Sequence, residues 1–526
     1  MFDALFTTTT EYKKLSHALS GKGACALFGL PASGRAQVYA ALCRQLDKPL
    51  CIVTPGEAEA TRFAADLNTL GIPAAVFPAR DYVLRPIEGT AREYEYRRLA
   101  VLGELVGGRL RAVAVPAEAL TQFTTPKEDF CANTRTLHAG DTLLRDDLLA
   151  ALFGAGYTRR AQVDGPGQFS VRGDIVDIFA PDQKMPVRME FWGDEIDTLH
   201  TFDLTTQRRE DAIDKFYLSP AREVLFGKPA DAAEQLQAFL AKQRGKKKTA
   251  MADCMSADLD LLDGGAVPVN MDKYLAVRYP HPATVLDYFD DPILVAEEPA
   301  SIREADRATV YRRGEELKSL ILDGVLCAGL DNLYADPSYL WSKTGHYRTI
   351  CAENFARSMP DQPLKDIINA PAHTLPAWNG EVAGLLEDLK PLCDAGYTVT
   401  LLAGTDRAAA GLARDLRDKG ILVTTDAAAA PAAGLVQVLA GHLSAGCEFP
   451  FAKYALLTGR AFGETSSQKK KRKKAKDALN SLTEITPGDL VVHQNHGIGR
   501  YAGIQRMAVQ GVTKDYLRIE YDKKDV

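Results

Sequence analysis

The 526-residue chain has no C-x-x-C pair, no apolar run near the ~20 residues of a membrane-spanning helix, and no large excess of charge of either sign. Each lack excludes a class of protein. The nine cysteines are scattered and odd in number, the pattern of reduced thiols rather than of a disulfide framework or a zinc site. Met1–Thr10 has neither a basic start nor a long apolar core, so no signal peptide and no membrane association is expected, and the chain reads as cytoplasmic. A net charge of −6 carries no overall nucleic-acid signature. His493 and His496 form an H-x-x-H without a second ligand pair nearby, so no metal is expected. No Ser/His/Asp or Cys/His set has recognisable local context, which leaves hydrolytic and redox chemistry without candidates.

What is present begins with Phe169–Phe179 and Val187–Ile196. Val187, Met189 and Phe191 alternate with Arg188, Glu190 and Trp192, the period of a strand with one buried face. Before it, Val171, Gly173 and Ile175 read as one face of a strand, with Arg172 and Asp174 on the other. Pro181, Asp182 and Pro186 supply a turn, so a hairpin places Arg172, Arg188 and Trp192 on one surface. Tryptophan beside arginine is the residue mix of binding hot spots. The pattern alone leaves open a solvated face with one stray aromatic.

A second feature is Gly29-Leu-Pro-Ala-Ser-Gly34-Arg35-Ala36, which has the spacing of the phosphate loop G-x-x-x-x-G-K-[ST] between an apolar run and a helix. Arginine stands where lysine should reach the phosphates, and alanine stands where a hydroxyl should hold magnesium. Downstream, Ile293–Ala296 ending in Glu297 and Glu298 resembles a Walker B strand. Together these predict a P-loop-like α/β fold whose nucleotide site, Gly29, Gly34, Arg35, Ala36, Glu297 and Glu298, is degenerate, with no catalytic residue and no bound cofactor.

The length predicts several domains. Residues 1–122 alternate strands (Leu50–Thr54, Ala74–Phe77, Ala112–Val115) with helices (Ala58–Leu70, Ala91–Val106), the pattern of a helix-covered parallel sheet. Residues 123–210 read as an inserted β-rich domain, and 211–350 as the return of the first. Residues 351–465 read as a small α/β domain, with helices Gly380–Ala395 and Arg407–Lys419. Residues 466–482 hold a basic linker around Ser466–Lys476, which reads as a plain spacer, with a nuclear-import signal or a nonspecific phosphate tether as the alternatives. Residues 483–526 are glycine-punctuated short strands, predicted to form an SH3- or Tudor-like β-barrel that lacks its closing strand and so reads as truncated. The fold class expected is therefore α/β multidomain.

Arg172-Gly-Asp-Ile-Val-Asp-Ile-Phe with the later Thr-Thr-Gln-Arg, and Val492-His-x-x-His-Gly-Ile-Gly-Arg-Tyr-x-Gly503, resemble in that order the bacterial transcription-repair coupling factors. The first block is similar to the module this family shares with UvrB. The second is similar to the polymerase-interacting domain shared with CarD-type regulators. The resemblance implies that Arg172, Arg188 and Trp192 bind UvrA, with tryptophan replacing the family's usual aromatic. It implies that the strand Ile504–Val509, through Ile504, Arg506 and Met507, binds the β subunit of RNA polymerase. It further implies that residues 1–526 are an adaptor and not an enzyme. ATP, magnesium and most DNA contact would belong to a translocase motor that these residues lack. Two other readings are a UvrB-like helicase with residual ATPase activity, which Arg35 and Ala36 oppose, and a CarD-like transcription regulator, which the UvrB-like region opposes.

Overall fold

Strands rich in apolar residues at every position need cover on both faces, and the first strands of the chain meet that condition. The computed structural model describes residues 2–86, 92–357, 363–378, 382–459, 488, 490–493, 497–509 and 512–520. In it the chain lays down β1 (Gly23–Phe28), β2 (Leu50–Thr54), β3 (Ala74–Val76) and β4 (Ala112–Pro116), separated by helices Ala32–Leu46, Glu57–Thr69 and Glu93–Val106. Alternate residues of β2 feed two cores: Leu50 and Ile52 one, Cys51 and Val53 the other. That division is what a parallel sheet with helices on both sides requires.

The chain then leaves this layer for β5 (Arg135–His138), β6 (Thr158–Arg159), β7 (Gln168–Arg172), β8 (Ile175–Phe179), β9 (Val187–Trp192), β10 (Glu195–Phe202), β11 (Arg209–Ala212) and β12 (Lys215–Leu218). β5 and β12 pair antiparallel at the base of the excursion, and the others form a six-stranded sheet in the order β11-β10-β9-β8-β7-β6. The inserted strands thus run from Arg135 to Leu218, starting and ending later than the 123–210 read from composition. After helices Pro229–Ala241 and Gly245–Asp263 the chain returns with β13 (Ile293–Glu297), helix Pro299–Leu322, β14 (Arg348–Glu353) and β15 (Leu364–Asn369). These complete a seven-stranded parallel sheet ordered β15-β1-β14-β13-β2-β4-β3. The first sheet therefore takes strands as far as Asn369, past the boundary placed at 351.

A second α/β sheet follows: β16 (His373–Leu375), β17 (Thr398–Leu402), β18 (Val423–Thr424), β19 (Val436–Leu439), β20 (Gly446–Phe449) and β21 (Tyr454–Thr458), ordered β16-β20-β21-β17-β19-β18. Residues Met1–Ala461 form one unit and Phe462–Val526 another. The second unit contains β22 (Leu490–His493), β23 (Gly497–Val509) and β24 (Val512–Glu520), an antiparallel sheet in that order. The basic block Ser466–Lys476 and His496 lie outside the described residues, and no closed barrel is seen among the described ones. No described helix is long and apolar enough to cross a membrane, and no described cluster of His, Cys, Asp or Glu could hold a metal.

A buried charge network sets where the insertion leaves its parent. Arg98 donates from Nε to Glu223 Oε1 at 2.6 Å and from Nη1 to Gln122 Oε1 at 2.9 Å. Arg80 donates from Nη1 to Asp272 Oδ2 at 2.7 Å, and its Nε lies 3.2 Å from Glu223 Oε1. Glu95 pairs with Arg92 at 2.8 Å and accepts the Glu223 N–H at 3.0 Å. Glu223 comes five residues after β12, so the Arg80 segment and helix Glu93–Val106 both grip the insertion's exit. Such charges are tolerated in a core only when fully paired.

Burial alone would raise the Glu95 carboxyl, but Arg80, Arg92, Arg222 and the Glu223 N–H hold it at about 2, below its ordinary 4.5. A depressed carboxyl contributes stability above its unfolded value and loses it as pH falls through its folded value. Glu95→Gln should therefore cost stability at neutral pH, and the gap to wild type should close as pH drops from 4.5 toward about 2. Urea unfolding across that range measures it, and a gap independent of pH would mean that charge is not what the site uses.

Candidate docking face and a glycine-rich loop with phosphate-loop spacing

The outward face of the inserted sheet is built on the register of β7, β8, β9 and β10. Val187, Met189 and Phe191 are buried as the alternation predicts, with Val176 and Ile178 of β8 packed beside them. The preceding stretch is not one strand. Gly173 and Asp174 form a two-residue turn, Gly173 at φ +62°, and Arg172 pairs with Ile175 across it. Glycine at the first turn position matches hairpin twist at no steric cost, and that breaks the alternation read through it.

Arg172, Arg188 and Trp192 still share one face, because Asp177 pairs with Arg188 and Ile175 with Glu190 across β8 and β9. Their environments differ sharply. Trp192 is 82% exposed. Arg172 is half-exposed and donates from Nη2 to Asp177 Oδ2 at 2.5 Å. Arg188 does not stand in solvent as the alternation implied: it is buried. Its Nε donates to Asp177 Oδ1 at 2.7 Å, its Nη2 to Asp177 Oδ2 at 3.0 Å, and its Nη1 to the Gln207 carbonyl at 3.2 Å. Its guanidinium also lies 4.7 Å from the Phe202 ring centroid. The buried Asp177 carboxylate thus fixes both arginines, and the Thr205–Arg208 loop folds over to cap one of them. Asp177 was missed in the sequence because it sits in an apolar run. An acid there, on the face that also carries arginines, is the signal that could have found it.

Position for position, the glycine-rich loop lies where a phosphate loop would, after β1 and before helix Ala32–Leu46. The polar groups around it are engaged within the protein. The helix begins at Ala32, and the Arg35 N–H is already donated to the Pro31 carbonyl at 2.9 Å. The buried Arg35 guanidinium turns to the end of β13, with Nε 3.0 Å from Glu297 Oε2 and Nη1 2.8 Å from Glu298 Oε1. Tyr39 donates its hydroxyl to Glu297 Oε1 at 2.5 Å. Burial works against the Arg35 charge, and the two carboxylates more than offset it, so the side chain stays protonated. Ala36 is fully buried and offers no oxygen.

Both loop glycines answer to packing. A Cβ on Gly29, at φ +88°, would lie 3.0 Å from Asn369 Oδ1, and one on Gly34 would lie 2.9 Å from Cys447 Sγ on β20. The small α/β sheet therefore sits directly on the start of this helix. It is secured by Asp66, which accepts the Ser444 N–H at 2.8 Å and the Ser444 hydroxyl at 2.6 Å. Phe449 packs edge-on against Phe6, with ring centroids 4.9 Å apart.

In the second unit, Ile504, Arg506 and Met507 all lie on β23, opposite Leu517, Asp515 and Lys514 of β24. β22 pairs only with Gly497–Arg500, so among the described residues the other edge of β23 from Ile504 to Val509 has no strand on it. That is where a partner strand or loop has backbone groups to meet.

Two family models match the chain: the UvrB interaction domain over residues 136–224 and the CarD-like/TRCF RID domain over residues 485–526. The first match coincides closely with the inserted strands, and the second contains all three strands of the second unit. Similar curated proteins include the transcription-repair-coupling factor of Bacillus subtilis, 27% identical over 514 residues (95% of this chain). Those of Staphylococcus haemolyticus, 26% identical over 515 residues, and Staphylococcus aureus, 24% identical over 511 residues, each cover 94% of this chain. The chain spans 43% of the length of each of these relatives. The resemblance read from the two sequence blocks is thus met along nearly the whole chain.

Removing one partner of a buried ion pair leaves the other charge unpaired, at about 3–5 kcal/mol. Arg35→Ala should lower stability to urea by that order, and Arg35→Ala with Glu297→Gln should recover much of the loss. An Arg35→Ala protein as stable as wild type would mean that the loop is not held shut by this contact.

Proposed function

We propose that this chain is the partner-docking region of a transcription-repair-coupling factor, with UvrA on the inserted sheet and the β subunit of RNA polymerase on the second unit. The observation that carries the reading is Trp192, a large aromatic left 82% exposed beside two arginines that a buried aspartate holds in place. An exposed indole is costly for a lone protein and suits a hot spot that a partner covers. Prearranged arginines lose little side-chain freedom on binding. For the polymerase, the edge of β23 at Ile504, Arg506 and Met507, on which no described strand pairs, supports a strand-edge contact.

The first domain we read as a P-loop-like fold turned structural. Arg35 is committed to Glu297 and Glu298 rather than free to reach a phosphate, and Ala36 offers magnesium nothing, so on this reading these residues bind partners without turning over ATP. ATP hydrolysis with magnesium, movement along DNA and displacement of a stalled polymerase are assigned to the part of such a protein that the chain does not span. With partners that act on the bacterial chromosome, we assign the protein to the cytoplasm.

Hot-spot truncations cost about 2 kcal/mol or more. Trp192→Ala and Arg172→Ala should each weaken binding to purified UvrA by roughly thirtyfold while unfolding as wild type does. Arg188→Ala should weaken binding and also lower stability, because it leaves buried Asp177 with one partner fewer. Unchanged UvrA affinity in both Trp192→Ala and Arg172→Ala would refute the assignment.

A further inference from the structure

Helix Pro299–Leu322 and the segment around Trp341 enclose an open groove of about 510 Å³. Its helical wall is Arg303, Asp306, Arg307, Val310 and Tyr311, spaced i, i+3, i+4, i+7 and i+8. That is the spacing of a stripe a helix usually buries. Here Tyr311 is 74% exposed and Val310 is exposed too.

The two arginines are set rather than loose. The Arg303 guanidinium lies 4.2 Å from the Trp341 ring centroid, and Arg307 donates from Nε to the Arg303 carbonyl at 3.3 Å. Among the described residues neither makes a close ion pair, although Arg303 acts on the Glu353 carboxylate at longer range. Stacking on an aromatic face leaves the outer N–H groups of a guanidinium free to meet an anion.

We propose that this groove docks an acidic, leucine-type peptide segment of a partner protein: apolar side chains against Val310, Tyr311 and Trp341, carboxylates on Arg303 and Arg307. An apolar floor flanked by cations that no close carboxylate neutralises is complementary to that chemistry. Asp306 separates this occupant from nucleic acid. A half-buried acid between the two arginines repels a continuous row of phosphates, whereas a peptide can offer it a backbone N–H. The groove shares no residue with the proposed UvrA or polymerase contacts.

The test uses the whole chain and a fluorescein-labelled peptide of two leucines flanked on each side by two glutamates. Its anisotropy should rise saturably and weaken as salt is added. Arg307→Glu and Tyr311→Ala, both at exposed positions, should each lower affinity by roughly tenfold or more. No saturable rise, or a rise indifferent to both substitutions, overturns the proposal. So does a labelled oligothymidylate that binds, loses binding in Arg307→Glu and is not displaced by the peptide, because the face would then be a nucleic-acid one.

Discussion

The Arg35 side chain crosses from helix Ala32–Leu46 to the end of β13, where Glu297 and Glu298 wait for it, and the surrounding architecture follows from that contact. The guanidinium is drawn inward and away from the glycine-rich loop, into two ion pairs. The helix can begin at Ala32, and the small α/β sheet can settle on Gly34 with no gap. A site that must admit and release a nucleotide has to open, but a site filled by its own buried, paired charges gains nothing by opening. The parent fold thus becomes a fixed platform.

A fixed platform is what a projecting docking surface needs. The insertion is anchored at its base by the β5–β12 pair and at its exit by Glu223 among Arg80 and Arg98. On its far side Asp177 does for two arginines what Glu297 does for one. It holds cations in a chosen geometry, partly screened from each other, next to an uncovered indole. Buried acids paired to arginines recur at each of these points. In the loop the arrangement closes a surface, and on the inserted sheet it prepares one.

Much of this was legible in the sequence because it depends on local pattern. The strand Leu50–Thr54 has the ends read from its apolar run, and the helix read as Arg407–Lys419 lies one residue earlier, at Asp406–Asp418. The wrong residues at Arg35 and Ala36 were visible, but their consequence was not. Sequence spacing says nothing of which acid, more than 260 positions away, will fill the space. Gly173 misled because a two-residue turn preserves the look of alternation while reversing the chain. Arg188 misled because period two gives the face of a residue and not what folds over it, here Phe202 and the Gln207 carbonyl. Leu364–Asn369 joins the first sheet through pairing with β1, a long-range choice that composition cannot reveal.

The central claim is that one chain carries two separate docking ends on a platform that does no chemistry of its own. It is tested most directly by mixing the chain with UvrA and the polymerase β subunit, without nucleotide, and weighing the products by mass photometry. The account predicts a species containing all three proteins that disappears when the chain is left out. Mutually exclusive pairs, or a ternary species that forms only when ATP is supplied, would contradict it.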